Sequence, residues 1–246
     1  MIHARVSSSL ISNLSKMATL LDIEGTVCSI SFVHDILFPY ALEKLPQLLK
    51  NETFPISGNK TELTPYLESF PEEYKQSAKG LEDHVIDLTE KNVKAPYLKA
   101  LQGYIWKSGY ESGEIKAPLY PDAVAYMKRV VDEGKKVFIY SSGSVAAQKL
   151  LFGYSSAGDL NPLISGYFDT VNAGPKMEAA SYTKILEAIN FEADKVLFLS
   201  DNVREIEAAK KAGLRAYVAE RPGNAELTPQ ERADNVVNTS FDGIDV

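Results

Sequence analysis

The chain has 246 residues, 45% of them hydrophobic and 24% charged, with a formal net charge of −7. That length allows one large domain or a core with a smaller second part, and the acidic balance argues against a broad nucleic-acid surface, which needs a basic face. A lone cysteine, Cys28, excludes an internal disulfide framework and fits a reducing compartment, while three scattered histidines suggest no histidine-rich metal cluster and no run reaches the length of a membrane span.

The opening residues, "MIHARVSSSLISNLSK", carry Arg5 and Lys16, several serines and no acid. They resemble a weak mitochondrial presequence. The preferred reading of 1–16 is a disordered leader, or an upstream start with Met17 as the true one. "ATLLD" (18–22) then reads as a strand buried on both faces, because it is apolar without alternation.

The stretch from 33 to 116 is far longer than one crossover helix needs. "HDILFPYALEKLPQLLK", "EEYKQSAKGLEDHVIDLTEKNV" and "PYLKALQGYIWKSGYESGEI" read as helices, with a polar loop near 51–63. This segment is expected to be an all-helical cap inserted into a core formed by 17–32 and 117–246. The cap would close over the site, exclude bulk water and select the substrate.

Beyond it, strands alternate with helices. "PDAVAYMKRVVDEG" opens on Pro121 and closes on Gly134, as helices prefer. The strand "KVFIYS" (136–141) follows, then a helix, "SVAAQKLLFG". "GYFDTV" (166–171) is a weaker strand. The helix "SYTKILEAI" leads to the strand "KVLFLS" (195–200), the helix "NVREIEAAKKAG" and the strand "LRAYVA" (214–219). That alternation implies an α/β fold, a doubly wound parallel sheet with helices on both faces.

Ligands of open parallel sheets bind beyond the carboxyl ends of the strands. The first strand ends in Asp22 and then Glu24, the next in Ser141, Ser142, Gly143 and Ser144, and that at 195 in Ser200 and Asp201; Lys176 lies in the loop "NAGPKME". This inventory suits phosphoryl transfer. A phosphate monoester dianion repels an anionic nucleophile, so charge must first be cancelled. Mg²⁺ with hard oxygen ligands does this, and a lysine with loop N–H groups covers the remaining oxygens. An aspartate can serve as covalent nucleophile, and a second carboxylate can pass protons.

"LLDIEGT", "YSSGS", Lys176 and "FLSD" resemble, in order, the four motifs of the haloacid dehalogenase superfamily. The superfamily usually has aspartate at the second acidic position, where this chain has Glu24. That departure, with "LQGYIWKSGYESGEIKAPLY", "YSSGSVAAQKLLFGYS" and "RPGNA", resembles the enolase-phosphatase (acireductone synthase) family of methionine salvage, from about Ala18 to the C-terminal region. The resemblance implies a phosphatase core with a helical cap and one Mg²⁺ per chain. It implies a small phosphorylated diketone as substrate, 2,3-diketo-5-methylthiopentyl-1-phosphate, which is enolised and then dephosphorylated through an aspartyl-phosphate. Carried over by position, Asp22 is nucleophile and metal ligand. Glu24 is acid/base and belongs to the metal site, with its backbone carbonyl as one possible contact. Ser141 and Ser142 bind phosphate, Lys176 is both catalytic and phosphate-binding, and Asp201 is a metal carboxylate. Glu205 is read either as an acid that orients metal-bound water or as a complement to its helix N-terminus.

The expected protein is a monomer that binds neither nucleic acid nor membrane. Its expected place is the cytoplasm, with the nucleus as a second location and no mitochondrial targeting by the leader. Two rivals stand: a related phosphatase for another small phosphate ester, and a non-catalytic binding protein on the same fold. Cys28 is expected to be structural. Tyr104, Trp106 and Tyr110 could line a pocket for the methylthio tail but more often form a cap's own core.

Overall fold

The computed structural model describes residues 17–58 and 61–246. The expectation for 1–16 lies outside the described residues. In chain order the strands are β1 (Ala18–Leu21), β2 (Lys136–Tyr140), β3 (Ile164–Phe168), β4 (Val196–Ser200), β5 (Arg215–Ala219) and β6 (Val237–Asn238). The longer helices are α1 (Phe38–Leu49), α2 (Thr64–Glu68), α3 (Ala78–Glu90), α4 (Pro96–Ser112), α5 (Pro121–Asp132), α6 (Val145–Gly153), α7 (Ala179–Ile189), α8 (Val203–Lys211) and α9 (Pro229–Asp234). They divide into two compact units. Among the described residues, one comprises those up to Ile30 with Pro118–Val145 and Ala157–Val246; the other comprises those within Ser31–Ala117 with Ala146–Ser156.

The first unit is built on a six-stranded parallel sheet in the order β3-β2-β1-β4-β5-β6. Leu20 of β1 lies level with Phe138 of β2 and Phe198 of β4, and all three point into one apolar layer with Tyr182 and Ile185 of α7 and Ile206 and Ala209 of α8. The opposite face is covered by α5. Its buried Tyr126 donates to Thr19 Oγ1 at 3.1 Å, and Thr19 in turn donates to Leu197 O at 3.2 Å. Both faces of β1 and β4 are therefore buried, which explains why neither strand alternates in sequence.

The order runs outward from β1 in both directions, so β1 and β4 flank the topological switch point, where chains leaving the two strands turn to opposite sides. Asp22 follows β1 there, and its N–H donates to Leu199 O at 2.9 Å. Asp201 follows β4.

Three details differ from the sequence reading. The weak strand candidate at 166–171 begins at Ile164 and stops at Phe168. It stops because the Asp169 carboxylate accepts from the N–H groups of Val171 and Asn172, at 2.9 Å each, and turns the chain. β6, only two residues long, carries no pattern long enough to announce a strand. Residues 146–156, expected with the sheet, cluster with the helical unit.

In that second unit α1 packs on α3 and α4 through Ala41, Leu45, Leu81, Val85, Leu101 and Ile105, all buried. α1 is preceded by a π turn, Val33–Leu37, in which Phe38 N–H reaches back to Val33 O. Trp106 Nε1 donates to Leu37 O at 2.7 Å and satisfies a carbonyl of that turn. Gly109 on α4 is where the backbones approach: a Cβ there would lie 2.6 Å from both Ile115 and the Tyr40 ring.

Thr19→Val strips the acceptor from the buried Tyr126 hydroxyl. We expect a loss of about 1–3 kcal/mol in urea unfolding, most of it recovered when Tyr126→Phe is added. A double variant no more stable than Thr19→Val alone would show that the hydroxyl pair is not the source.

Candidate active site

The C-terminal ends of β1 and β4 bring charged groups into a buried space. Lys176 Nζ lies 2.6 Å from Asp22 Oδ1 and 2.6 Å from Glu205 Oε2, and all three side chains are buried. Ser200, the last residue of β4, donates to Glu205 Oε2 at 2.8 Å and faces Asp22 Oδ2 at 3.4 Å. Burial opposes the charge of Lys176, but the two carboxylates outweigh it and hold its pKa above the usual lysine range. Lys176 is therefore a permanent cation. Glu205, expected either to orient water or to complement its helix, instead anchors this lysine.

Lys176 is long and flexible, so its loop must be fixed if the ammonium is to be placed. Three hydroxyls do this. Tyr140 donates to Gly174 O at 2.7 Å, Ser181 to Pro175 O at 2.7 Å and Tyr182 to Lys176 O at 2.8 Å. Three successive carbonyls that no strand or helix satisfies are each taken by a side chain from β2 or α7. The Tyr140 ring also lies 5.7 Å from Lys176 Nζ.

Asp201 joins the group through the turn after β1. Its N–H donates to Thr26 Oγ1 at 3.1 Å. Burial, then the Asp22 and Glu205 charges, push its carboxyl up to about 7, with Lys176 pulling the other way. Gly25 has a φ of +68°, open to glycine and strained for other residues, and a Cβ on it would sit 2.6 Å from Asp201 Oδ2. Glu24 is half-buried and bridges Cys28 across the same turn. Cys28 is buried, and burial with the Glu24 charge pushes its thiol up to about 12. That is the environment of an inert thiol.

Ser141 and Ser142 lie just past β2, the neighbour of β1. Ser141 is buried; its N–H continues the ladder to Phe168 O at 3.1 Å and its Oγ accepts from Gly143 N–H at 3.2 Å. The loop is closed by Asp169, whose Oδ2 accepts from Val145 N–H, the first residue of α6, at 3.0 Å. Lys176 thus touches both Asp22 and Glu205. Asp201 acts on them electrostatically, and the serines stand at the adjoining strand end. Of the helical-unit aromatics, Trp106 and Tyr110 are buried and Tyr104 tilts against Tyr66 at 4.9 Å, so these rings serve the unit's own packing.

Two buried carboxylates, Asp22 and Glu205, and the half-buried Asp201 stand near one ammonium here, and burial together with the charges of Asp22 and Glu205 raises the Asp201 pKa. A divalent cation fits that imbalance. Among the described residues no three His, Cys, Asp or Glu side chains form a ready metal cluster. Two carboxylates with backbone and water oxygens remain, which is a donor set that Mg²⁺ accepts.

The haloacid dehalogenase-like hydrolase family model matches residues 17–213. The enolase-phosphatase E1 of Yarrowia lipolytica is 88% identical over 94% of this chain and 100% of its own length. That of Podospora anserina is 54% identical over 90% of this chain and 94% of its own. The chain belongs to the enolase-phosphatase family of haloacid dehalogenase-like hydrolases. The UTR4 protein of Saccharomyces cerevisiae, 44% identical, superposes with a TM-score of 0.81 over 94% of this chain and 100% of its own.

Against that family identity, several residues of the site carried no assigned role in the sequence reading. Ser200 stood inside "FLSD" and Thr26 inside "DIEGT", quoted but given no task. Asp169, Tyr140, Ser181 and Tyr182 are ordinary residues in strands, turns and helices; only their convergence on the site loops marks them.

Two outcomes test this enolase-phosphatase site. Lys176→Met leaves two buried carboxylates without their cation. Urea unfolding at pH 8 is expected to show a loss of about 3 kcal/mol or more, smaller at pH 5, since burial raises the Glu205 pKa and favours its neutral form there. Asp201, with a raised pKa, stabilises the metal-free protein fully below the ordinary carboxylate range and loses that contribution as pH rises through about 7. Metal-free Asp201→Asn should therefore melt higher than the parent above pH 7, with the gap closing toward pH 4. A gap independent of pH would refute the assignment.

Proposed function

We propose that this chain converts 2,3-diketo-5-methylthiopentyl-1-phosphate into the acireductone 1,2-dihydroxy-3-keto-5-methylthiopentene and inorganic phosphate, with one Mg²⁺ per chain. The observation that carries the reading is the Asp22 carboxylate at the switch point, with one oxygen held 2.6 Å from Lys176 and a second acid, Asp201, beside it. The enolase-phosphatase names of relatives that match nearly the whole chain support the substrate. Phosphatases of this superfamily generally use Mg²⁺, and the excess of buried carboxylate supports the same ion here.

Asp22, Asp201 and the backbone of Glu24 would hold the ion. When bound, it supplies positive charge that polarises the ketone and phosphoryl oxygens. Glu24 is one methylene longer than the aspartate usual at its position and can reach the carbon bearing the phosphate. Its carboxylate takes a proton from that carbon and returns it to the oxygen of the neighbouring ketone, giving the enol phosphate. Lys176, charged throughout, fixes the Asp22 rotamer, and the Ser141–Ser142 loop holds the phosphoryl oxygens.

One Asp22 oxygen then bonds to phosphorus as the phosphorus–oxygen ester bond breaks. The leaving oxygen takes a proton from Glu24, which has taken one up from solvent after the enolisation. Water attacks the aspartyl-phosphate, Glu24 takes its proton and releases it to solvent, and phosphate departs with Asp22 restored.

The test follows phosphate release and acireductone absorbance together, in Mg²⁺ and in chelator, with a generic aryl phosphate in parallel. Both signals should appear only with Mg²⁺, and Asp22→Asn should lower turnover by at least about 10³-fold. Turnover of the aryl phosphate alone would reject the substrate and keep the phosphatase. In Glu24→Gln, both phosphate release and solvent-deuterium exchange at the phosphate-bearing carbon should be lost; surviving exchange would remove Glu24 from the enolisation.

A further inference from the structure

The turn after β5, Arg221–Asn224, reaches back to the loop that follows β1. Arg221 is buried between the rings of Tyr120 and Phe241, 4.6 and 4.4 Å from their centroids, and its Nη1 is tied to Asp122 Oδ2 at 2.7 Å. So anchored, its Nε donates to Thr26 O at 3.1 Å. Asn224 Nδ2 donates to the preceding carbonyl, Gly25 O, at 2.8 Å and to Ala219 O at 3.2 Å. Two successive carbonyls between Asp22 and the end of the turn are therefore fixed by side chains from a distant loop.

The donors of Asn224 also settle which way its amide faces. Both partners of Nδ2 are carbonyl oxygens, so the amide cannot be flipped without losing both bonds. Its Oδ1 is left buried with no donor. A Cβ on Gly25 would lie 2.8 Å from this oxygen and 2.6 Å from Asp201 Oδ2. Two oxygen acceptors thus face the same small space at Gly25, one of them a carboxylate. A buried acceptor without a donor costs stability, and such groups persist where a ligand completes them.

We propose that Asn224 is a positioning residue of the ion site: its amide donors lock Gly25, and its Oδ1 accepts a hydrogen bond from water bound to the Mg²⁺ beside Asp201. This rests on the Mg²⁺ reading given above. A partner outside the direct ligands that orients a bound water is worth about 10–100-fold in metal affinity.

The experiment is calorimetric titration of the metal-free full chain with Mg²⁺, comparing the parent with Asn224→Ala and Asn224→Asp. Asn224→Ala should weaken Mg²⁺ binding about 10–100-fold. Asn224→Asp keeps an acceptor and adds charge while losing both donors, so it should bind Mg²⁺ more tightly than Asn224→Ala. Unchanged affinity in Asn224→Ala overturns the proposal. Equal weakening in both variants also overturns it, because the amide would then act only as a clamp on Gly25. Absence of Mg²⁺ binding by the parent brings down the ion reading itself, and the proposal with it. A measurement on the parent chain is independent of variant folding: the Asn224 side-chain amide resonances should move during the Mg²⁺ titration, and fixed resonances would refute the role.

Discussion

The structure turns on one buried ammonium. Lys176 stands between Asp22 and Glu205 at 2.6 Å from each. Taking these charges from water is costly, and their attraction offsets the cost only when geometry is held closely. The surroundings of Lys176 follow from that requirement. Ser200 takes a lone pair of Glu205, and three hydroxyls take the carbonyls of the lysine's own loop. α7 provides two of those hydroxyls and also buries Tyr182 and Ile185 in the apolar layer under the sheet. Packing and charge placement share the same helix.

The sheet supplies the other half of the constraint. Because the strand order runs outward from β1 and β4, the chains leaving these strands part and open a crevice. Asp22 and Asp201 are the residues that emerge at that point. The strands below are rigid and buried on both faces, so the two carboxylates are held near each other despite their repulsion. The raised pKa of Asp201 reflects its burial first and that repulsion second. A site with this excess of negative charge favours a cation over an anion.

Much of this was legible in the sequence. Apolar runs at 18–22, 136–141, 195–200 and 214–219 gave strands within one residue at either end, because burial on both faces leaves a continuous apolar signature. The acids, serines and lysine at their ends were legible because chemistry-bearing residues stand out against such runs. The task of Glu205 was not: a glutamate in the first turn of α8 is equally suited to complementing the helix, and only its 2.6 Å approach to Lys176 decides. The end of β3 was placed too late because Asp169 stops the strand by hydrogen-bonding its own turn, a local competition that propensity does not weigh.

By itself the sequence determined the alternation of strands and helices, the long helical insertion and the residue types at the strand ends. These are written in local pattern, and local pattern reflects burial and backbone preference. Only the tertiary structure decided which groups meet. Tyr140, Tyr182, Arg221 and Asn224 act on loops 34 residues away for Tyr140, 6 for Tyr182 and nearly 200 for the last two. A hydrogen bond to a main-chain carbonyl leaves no mark on the residue that accepts it, since every residue carries that carbonyl. The partners of such bonds become visible only when the chain has folded.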